Sequence, residues 1–193
     1  MKNKHIQAMT LSAMIIAIIV TMTCIPYVGY ITVGPISITT IPLVVLVVAA
    51  IFDWKQALVA GIAFGLTSLV KASTMPGVDF FFVNPLISVL PRAIFGFLAG
   101  IIFHFIKKIN NLLLNNVLTI ISAGLLTALH TVMVLTMLYL FRNMLNSDSF
   151  MSILQYVISL NAIIEIGSAM VVTPIVITSM SKIQMNKKEA SYE

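Results

Sequence analysis

Six apolar segments constrain this fold more than any other feature. Between them lie two loops that contain glycine and proline, over 26–40 and 71–83, and a turn marked by asparagines over 110–116. The segments are predicted to be helices over the approximate ranges 6–25, 41–52, 56–70, 84–106, 117–141 and 153–181. Several are about 20 residues long, which is the length an α-helix needs to cross a bilayer. Of the 193 residues, 60% are hydrophobic and 9% are charged, whereas soluble domains carry about 25% charged residues. We therefore expect an all-α membrane protein, a single domain over 1–193 with about six transmembrane helices.

The second and third segments are each short for a full crossing. They are separated only by Asp53, Trp54 and Lys55. Their length fits either two thin helices or one re-entrant hairpin. Both alternatives return the chain to the same face, so the orientation of the later helices does not depend on the choice.

The basic residues predict the orientation. If the N-terminus lies inside, the cytoplasmic side receives Lys2, Lys4, Lys55, Lys107, Lys108, Lys182, Lys187 and Lys188, and the outer side receives Lys71 and Arg142. This asymmetry follows the positive-inside rule. We therefore predict a multi-pass protein of the cell membrane with both termini cytoplasmic. The net charge of +5 is explained by these cytoplasmic lysines and does not indicate a nucleic-acid interface.

The fourth segment places an arginine at membrane depth. Asn84 is expected to cap the helix and Pro85 to occupy its first position, so Arg92 lies roughly 12 Å along the axis. Small or polar side chains recur every four residues, at Ser88, Arg92, Gly96 and Gly100. Such a stripe permits close helix packing and directs Arg92 toward protein. The arginine then either binds a ligand or forms a structural ion pair.

A second group of polar residues lies on the last two helices. Asn161 and Glu165 are one turn apart and share a face. Glu165 either neutralises Arg92, titrates in a proton relay, or accepts hydrogen bonds from a ligand. In the fifth segment His130 is either a hydrogen-bonded interior residue or a substrate contact.

The sequence lacks the motifs of the common membrane enzymes. It contains no G-x-x-x-x-G-K-[ST] loop, no H-E-x-x-H and no G-x-S-x-G, so neither nucleotide hydrolysis nor these hydrolase chemistries are indicated. Cys24 is the single cysteine, and no pair of histidines has metal-ligand spacing. We expect a protein that is not an enzyme and that uses no metal or cofactor.

Three stretches resemble a known family. They are A-x-x-x-A at Ala13 and Ala17, GIAFGLTSLVKA over 61–72, and NPLISVLPRAIFGFLAG over 84–100. With the six-helix layout, they are similar to the substrate-binding S components of energy-coupling factor (ECF) vitamin transporters. The NPLISVLPR stretch resembles pantothenate-type members most.

The resemblance implies partners, a substrate and a site. Ala13 and Ala17 would contact a membrane-embedded T component, which works with two ATPase subunits. A small vitamin from outside would be bound, pantothenate first and others such as folate as alternatives, by Tyr27, Tyr30, Lys71, Asp79, Asn84, Arg92, His130, Asn161 and Glu165. The competing hypothesis is a stand-alone proton-coupled transporter, in which Glu165 or His130 would titrate.

Overall fold

A computed structural model describes residues 2–33, 36–74, 82–141 and 161–189. In chain order the elements are α1 (Lys2–Cys24), β1 (Tyr30–Val33), β2 (Ile36–Thr39), α2 (Ile41–Ile51), α3 (Trp54–Thr74), α4 (Pro85–Ile106), α5 (Leu112–Leu140) and α6 (Ala162–Glu189). Within the described ranges, five helices are long and apolar enough to cross a membrane, and α2 is shorter. This confirms the predicted all-α membrane protein. The cytoplasmic placement of the termini and the single-domain assignment stay predictions.

Helix α2 is short because it starts inside the bundle. Its 11 residues span about 16 Å, half of a hydrocarbon core. Ile41, Val45, Leu46 and Ala49 are fully buried, and the helix packs against α3, α4 and α6. A short helix is tolerated at membrane depth when protein surrounds it. Helix α3 has 21 residues, so the second and third segments are one short and one full-length helix.

A β-hairpin connects α1 to α2, where the sequence predicted an irregular loop. Strands β1 and β2 pair antiparallel with Tyr30 opposite Thr39 and Ile31 opposite Ile38. The Thr40 amide donates to the Gly29 carbonyl and closes the hairpin at its base. The hairpin therefore brings Ser37 and Thr39 to the end of the bundle from which α2 descends.

Helices α3 and α4 pack at backbone contact along their glycines. A Cβ on Gly61 would overlap the Arg92 carbonyl oxygen, and one on Gly96 would overlap the Ala57 carbonyl oxygen. A Cβ on Gly65 would lie 2.7 Å from the Val89 Cα. This confirms the predicted close approach. Helix α3 therefore packs directly against the backbone of Arg92.

Asparagine caps set two helix starts. Asn84 Oδ1 accepts from the Leu86 amide at 3.0 Å, as predicted. Asn111 Oδ1 accepts from the Leu113 and Leu114 amides, so α5 starts at Leu112, five residues before the predicted 117. Asn115, which was read as part of a turn, lies inside α5 and donates through Nδ2 to the Ile106 carbonyl at 2.9 Å.

Lys107 connects the end of α4 to the turn between α2 and α3 by a hydrogen bond. Its ammonium donates to the Phe52 carbonyl, the C-cap of α2. Burial lowers the pKa of Lys107, and the charge of Asp53 opposes this shift. This contact lies at the end of the bundle opposite the hairpin, near Lys55 and Lys108.

Candidate functional site

The guanidinium of Arg92 is buried between aromatic rings. The residue is 5% exposed, and Nη1 donates to the Ser88 carbonyl oxygen at 2.6 Å. Its Cζ lies 4.8 Å from the centroid of the Phe64 ring and 5.1 Å from that of Phe82. The prediction that Arg92 points into the protein is confirmed. Cation–π contacts of this kind stabilise a guanidinium that has been removed from water.

His130 lies on the neighbouring helix within reach of the same rings. Its ring centroid is 5.0 Å from that of Phe95 and 5.9 Å from that of Phe64. The residue is 4% exposed, and neither ring nitrogen has a hydrogen-bond partner among the described residues. Arg92 is close enough to act on it electrostatically. Buried polar atoms are normally hydrogen-bonded, which makes His130 a candidate contact for a bound molecule.

Glu165 is held by the hairpin. The residue is 7% exposed, and Oε1 accepts from the Thr39 amide at 2.9 Å and from the Thr39 hydroxyl at 2.7 Å. The Arg92 charge also acts on this carboxylate. The hydrogen bonds described for Glu165 therefore go to β2, and the arginine contributes at longer range.

Three more polar residues join the hairpin to the helices. Lys71 Nζ lies 3.8 Å from the centroid of the Tyr30 ring and donates to Ser37 Oγ at 3.4 Å. The Tyr30 hydroxyl pairs with Ser68 Oγ. Asn161 Nδ2 donates to the Ser37 carbonyl at 3.4 Å, while its buried Oδ1 has no partner in the described ranges. Hydrogen bonds and one cation–π contact thus hold the hairpin against α3 and the start of α6.

The structure connects six of the predicted site residues through contacts with the hairpin or through the charge of Arg92. They are Tyr30, Lys71, Arg92, His130, Asn161 and Glu165. Asn84 serves as the cap of α4. Tyr27 is 74% exposed at a turn where its φ is 63°, so it lies outside the buried cluster. Asp79 falls outside the described residues.

Sequence reasoning missed the aromatic and hairpin members of the cluster. Phe95 is expected only as part of the apolar surface of its helix, Phe64 is given no role, and Thr39 falls in the loop predicted over 26–40. The hairpin had a signal, since I-T-V and I-S-I-T alternate apolar and polar residues around Gly34 and Pro35. For Phe64 and Phe95 the sequence carried no signal beyond their positions near the glycine stripe and Arg92.

The arrangement suits an anion that also carries polar uncharged groups. Arg92 offers a cation between Phe64 and Phe82, while His130 and Asn161 present polar atoms without described partners. A guanidinium binds a carboxylate with two parallel hydrogen bonds. Among the described residues no three His, Cys, Asp or Glu side chains are grouped to hold a metal ion.

Five helices that are long and apolar enough to cross a membrane, with buried Arg92, His130 and Glu165 among them, define a multi-pass membrane protein. Its family is established by the match to the ECF transporter, substrate-specific component, over residues 7–177. The chain belongs to this family of transporter components, so it is not an enzyme and it resides in the cell membrane.

Two relatives are similar to this chain. Pantothenic acid transporter PanT of Lactococcus lactis subsp. cremoris (strain MG1363) is 26% identical over 167 residues, which cover 79% of this chain and 82% of that protein. Pantothenate transporter PanT of Leuconostoc mesenteroides subsp. mesenteroides is 27% identical over 110 residues, 54% of each chain. Together with the family match, they support a subunit for vitamin uptake.

Proposed function

We propose that this chain captures pantothenate from outside the cell and delivers it through a T component driven by two ATPase subunits. The family match supports an S component, and the two named relatives are pantothenate transporters. Both termini would lie in the cytoplasm, and the hairpin would close the outer end of the site. Other anionic vitamins, such as folate, are the alternatives to be tested alongside.

The buried Arg92 carries the substrate assignment. A buried arginine in a membrane helix costs about 2.5 to 3.5 kcal/mol on insertion scales. Its presence is therefore best explained by a favourable interaction, such as binding an anionic substrate. Pantothenate has one carboxylate, and Arg92 supplies the cation at 5% exposure. The rings of Phe64 and Phe82 flank the guanidinium.

The rest of pantothenate matches the remaining groups by chemistry. Its hydroxyls and amide both donate and accept hydrogen bonds, as required by the ring nitrogens of His130 and Oδ1 of Asn161. Glu165, aligned by Thr39, would accept from a hydroxyl. Phe95 and Phe64 would pack against the apolar dimethyl carbon. Lys71, Tyr30 and Asn84 would shape the entrance, with Tyr27 as an outer contact.

Uptake of labelled pantothenate tests the proposed assembly. Cells that express this chain with a T component and both ATPases should accumulate pantothenate, and ATPase subunits without hydrolytic activity should abolish the uptake. The competing carrier would instead show uptake in proteoliposomes that contain this chain alone, collapsed by a protonophore. That result would overturn the proposal.

Substitutions in the first helix test coupling to the T component separately from pantothenate binding. Ala13 and Ala17 are exposed on α1, as a partner contact requires. The double variant Ala13→Leu/Ala17→Leu should bind pantothenate normally and lose uptake, because bulk blocks close helix approach. Ile18→Phe is the matched control, since Ile18 is 50% exposed on another face of α1. Equal uptake in both variants would remove the two alanines from the partner contact.

A further inference from the structure

Helix α1 contacts the rest of the bundle through few buried residues, and we call this α1–α3 contact the seam. Only Ile15 and Ile19 are buried among its residues with described side chains, and its main neighbour is α3. Lipid tails are as apolar as these side chains, so no hydrophobic force presses α1 onto α3 inside a membrane. The position of α1 therefore depends on close packing and on the polar contacts that cross this seam.

Gln56 supplies those polar contacts. It lies in the first turn of α3 and is 8% exposed. Its Oε1 accepts from the Ser12 hydroxyl at 2.9 Å, and its Nε2 donates to the Ala8 carbonyl at 3.4 Å. One amide thus spans a full turn of α1, because Ala8 and Ser12 are four residues apart. Two bonds on one turn restrict both the rotation of α1 and its depth.

The exposed alanines are fixed by the same contacts. Ala13 follows Ser12 directly, and Ala17 lies one turn further along α1. At 100° per residue, both alanines point away from the direction in which Ser12 meets Gln56. A rotation of α1 about its axis would carry them around the bundle, and the surface they offer to another helix would change.

We propose that Gln56 is a positioning residue for coupling: it fixes α1 against α3 so that the Ala13 and Ala17 face is presented in one orientation to an apolar partner helix. The inference rests on the proposed function, since the partner is the T component. It assigns Gln56 a role in assembly and none in vitamin binding. The described contacts of the Gln56 side chain go to Ser12 and Ala8 of α1, whereas the Arg92 guanidinium contacts Ser88, Phe64 and Phe82. The two roles are therefore separable.

The test uses Gln56→Met, which keeps the length of the side chain and removes both hydrogen bonds. Ser12→Ala is the milder variant, because it removes one of the two bonds. Thr10→Ala is the matched control, since among the described residues the Thr10 hydroxyl donates to the Ile6 carbonyl of its own helix and to no other helix. Each variant is purified and measured for pantothenate binding and for capture by a purified T component with its ATPases.

The position of α1 is measured directly with spin labels. Cysteines replace Met14 on α1 and Leu125 on α5, which are 58% and 66% exposed, in a Cys24→Ser background. The distance distribution should be narrow with Gln56 present and should broaden or shift in Gln56→Met. Capture should weaken roughly tenfold in Gln56→Met and less in Ser12→Ala, as expected for the loss of about two interhelix hydrogen bonds. Pantothenate affinity should stay within about twofold.

Three results overturn the inference: an unchanged spin-label distance, unchanged capture, or capture and pantothenate binding that fall together. The last would show a general loss of structure. The proposed function fails separately, if the wild-type chain is not captured at all. Wild-type capture with equal capture of Gln56→Met refutes the role of Gln56 alone.

Discussion

Replacing Gly61 with alanine should disturb the binding site through the backbone. An added Cβ would overlap the Arg92 carbonyl oxygen and lie 3.1 Å from the Gly96 Cα. Both are backbone atoms, so no flexible side chain can move aside. Helices α3 and α4 must separate, and Arg92 moves with α4.

The expected loss of stability in Gly61→Ala follows from a comparison with Gly167→Ala. A Cβ on Gly167 meets nothing within 4 Å, so this variant shows the gain in helix propensity alone, up to about 1 kcal/mol. Gly61→Ala has the same gain and adds an overpacking cost of about 1 to 3 kcal/mol. The difference between the variants is therefore the steric cost. At about 2 to 4 °C per kcal/mol, Gly61→Ala should melt up to about 12 °C below Gly167→Ala.

The assay is thermal unfolding of both purified variants in detergent, with and without pantothenate. Gly61→Ala should also bind pantothenate more weakly, and the stabilisation given by saturating ligand should fall with the affinity. Equal melting temperatures for the two variants would refute the claim that α3 and α4 meet at backbone contact. Lower stability with unchanged affinity would show that Arg92 does not depend on this packing.

Three further predictions concern the hairpin and the opposite end of the bundle. Thr39→Val removes the hydroxyl bond to Glu165 and should cost about 1.5 to 3 kcal/mol of stability, measured by unfolding; no loss would exclude this contact. Lys71→Met removes the cation–π contact with Tyr30, and hydrogen exchange of the hairpin amides should rise several-fold; unchanged exchange would contradict it. Lys107 has a lowered pKa in the folded state, so the unfolded chain binds more protons just below pH 10.5, and stability should rise with pH there. Lys107→Met should abolish that rise, and a rise that persists would assign it elsewhere.

Much of the helical architecture could be predicted because the bilayer fixes helix length and apolar composition. The inward direction of Arg92 followed from the four-residue stripe, and Asn84 was identified as a cap from its place before Pro85. Helix ends were less accurate. Helix α3 continues through Lys71 to Thr74, because polar residues at the end of a membrane helix do not stop it.

The hairpin and the positions of Phe64 and Phe95 beside His130 could not be predicted from the sequence pattern. Gly34 and Pro35 were read as breaks in a loop, and the alternation on either side was too short to outweigh them. The partners of Glu165 depended on the hairpin, so its contact with Thr39 was missed and pairing with Arg92 was considered instead. Phe64 and Phe95 became visible as neighbours of His130 only once α3, α4 and α5 were packed together.

The most direct test of the central claim is equilibrium binding of pantothenate and of pantothenol, the alcohol that lacks the carboxylate, to the purified chain without ATP. Wild type should bind one pantothenate. Arg92→Met fills the space between Phe64 and Phe82 without the charge, and should weaken pantothenate by about 2 to 5 kcal/mol, or about 30-fold to several thousand-fold. The same variant should change pantothenol binding by less than about tenfold. Equal losses for both ligands, or no loss for pantothenate, would contradict a carboxylate bound at Arg92.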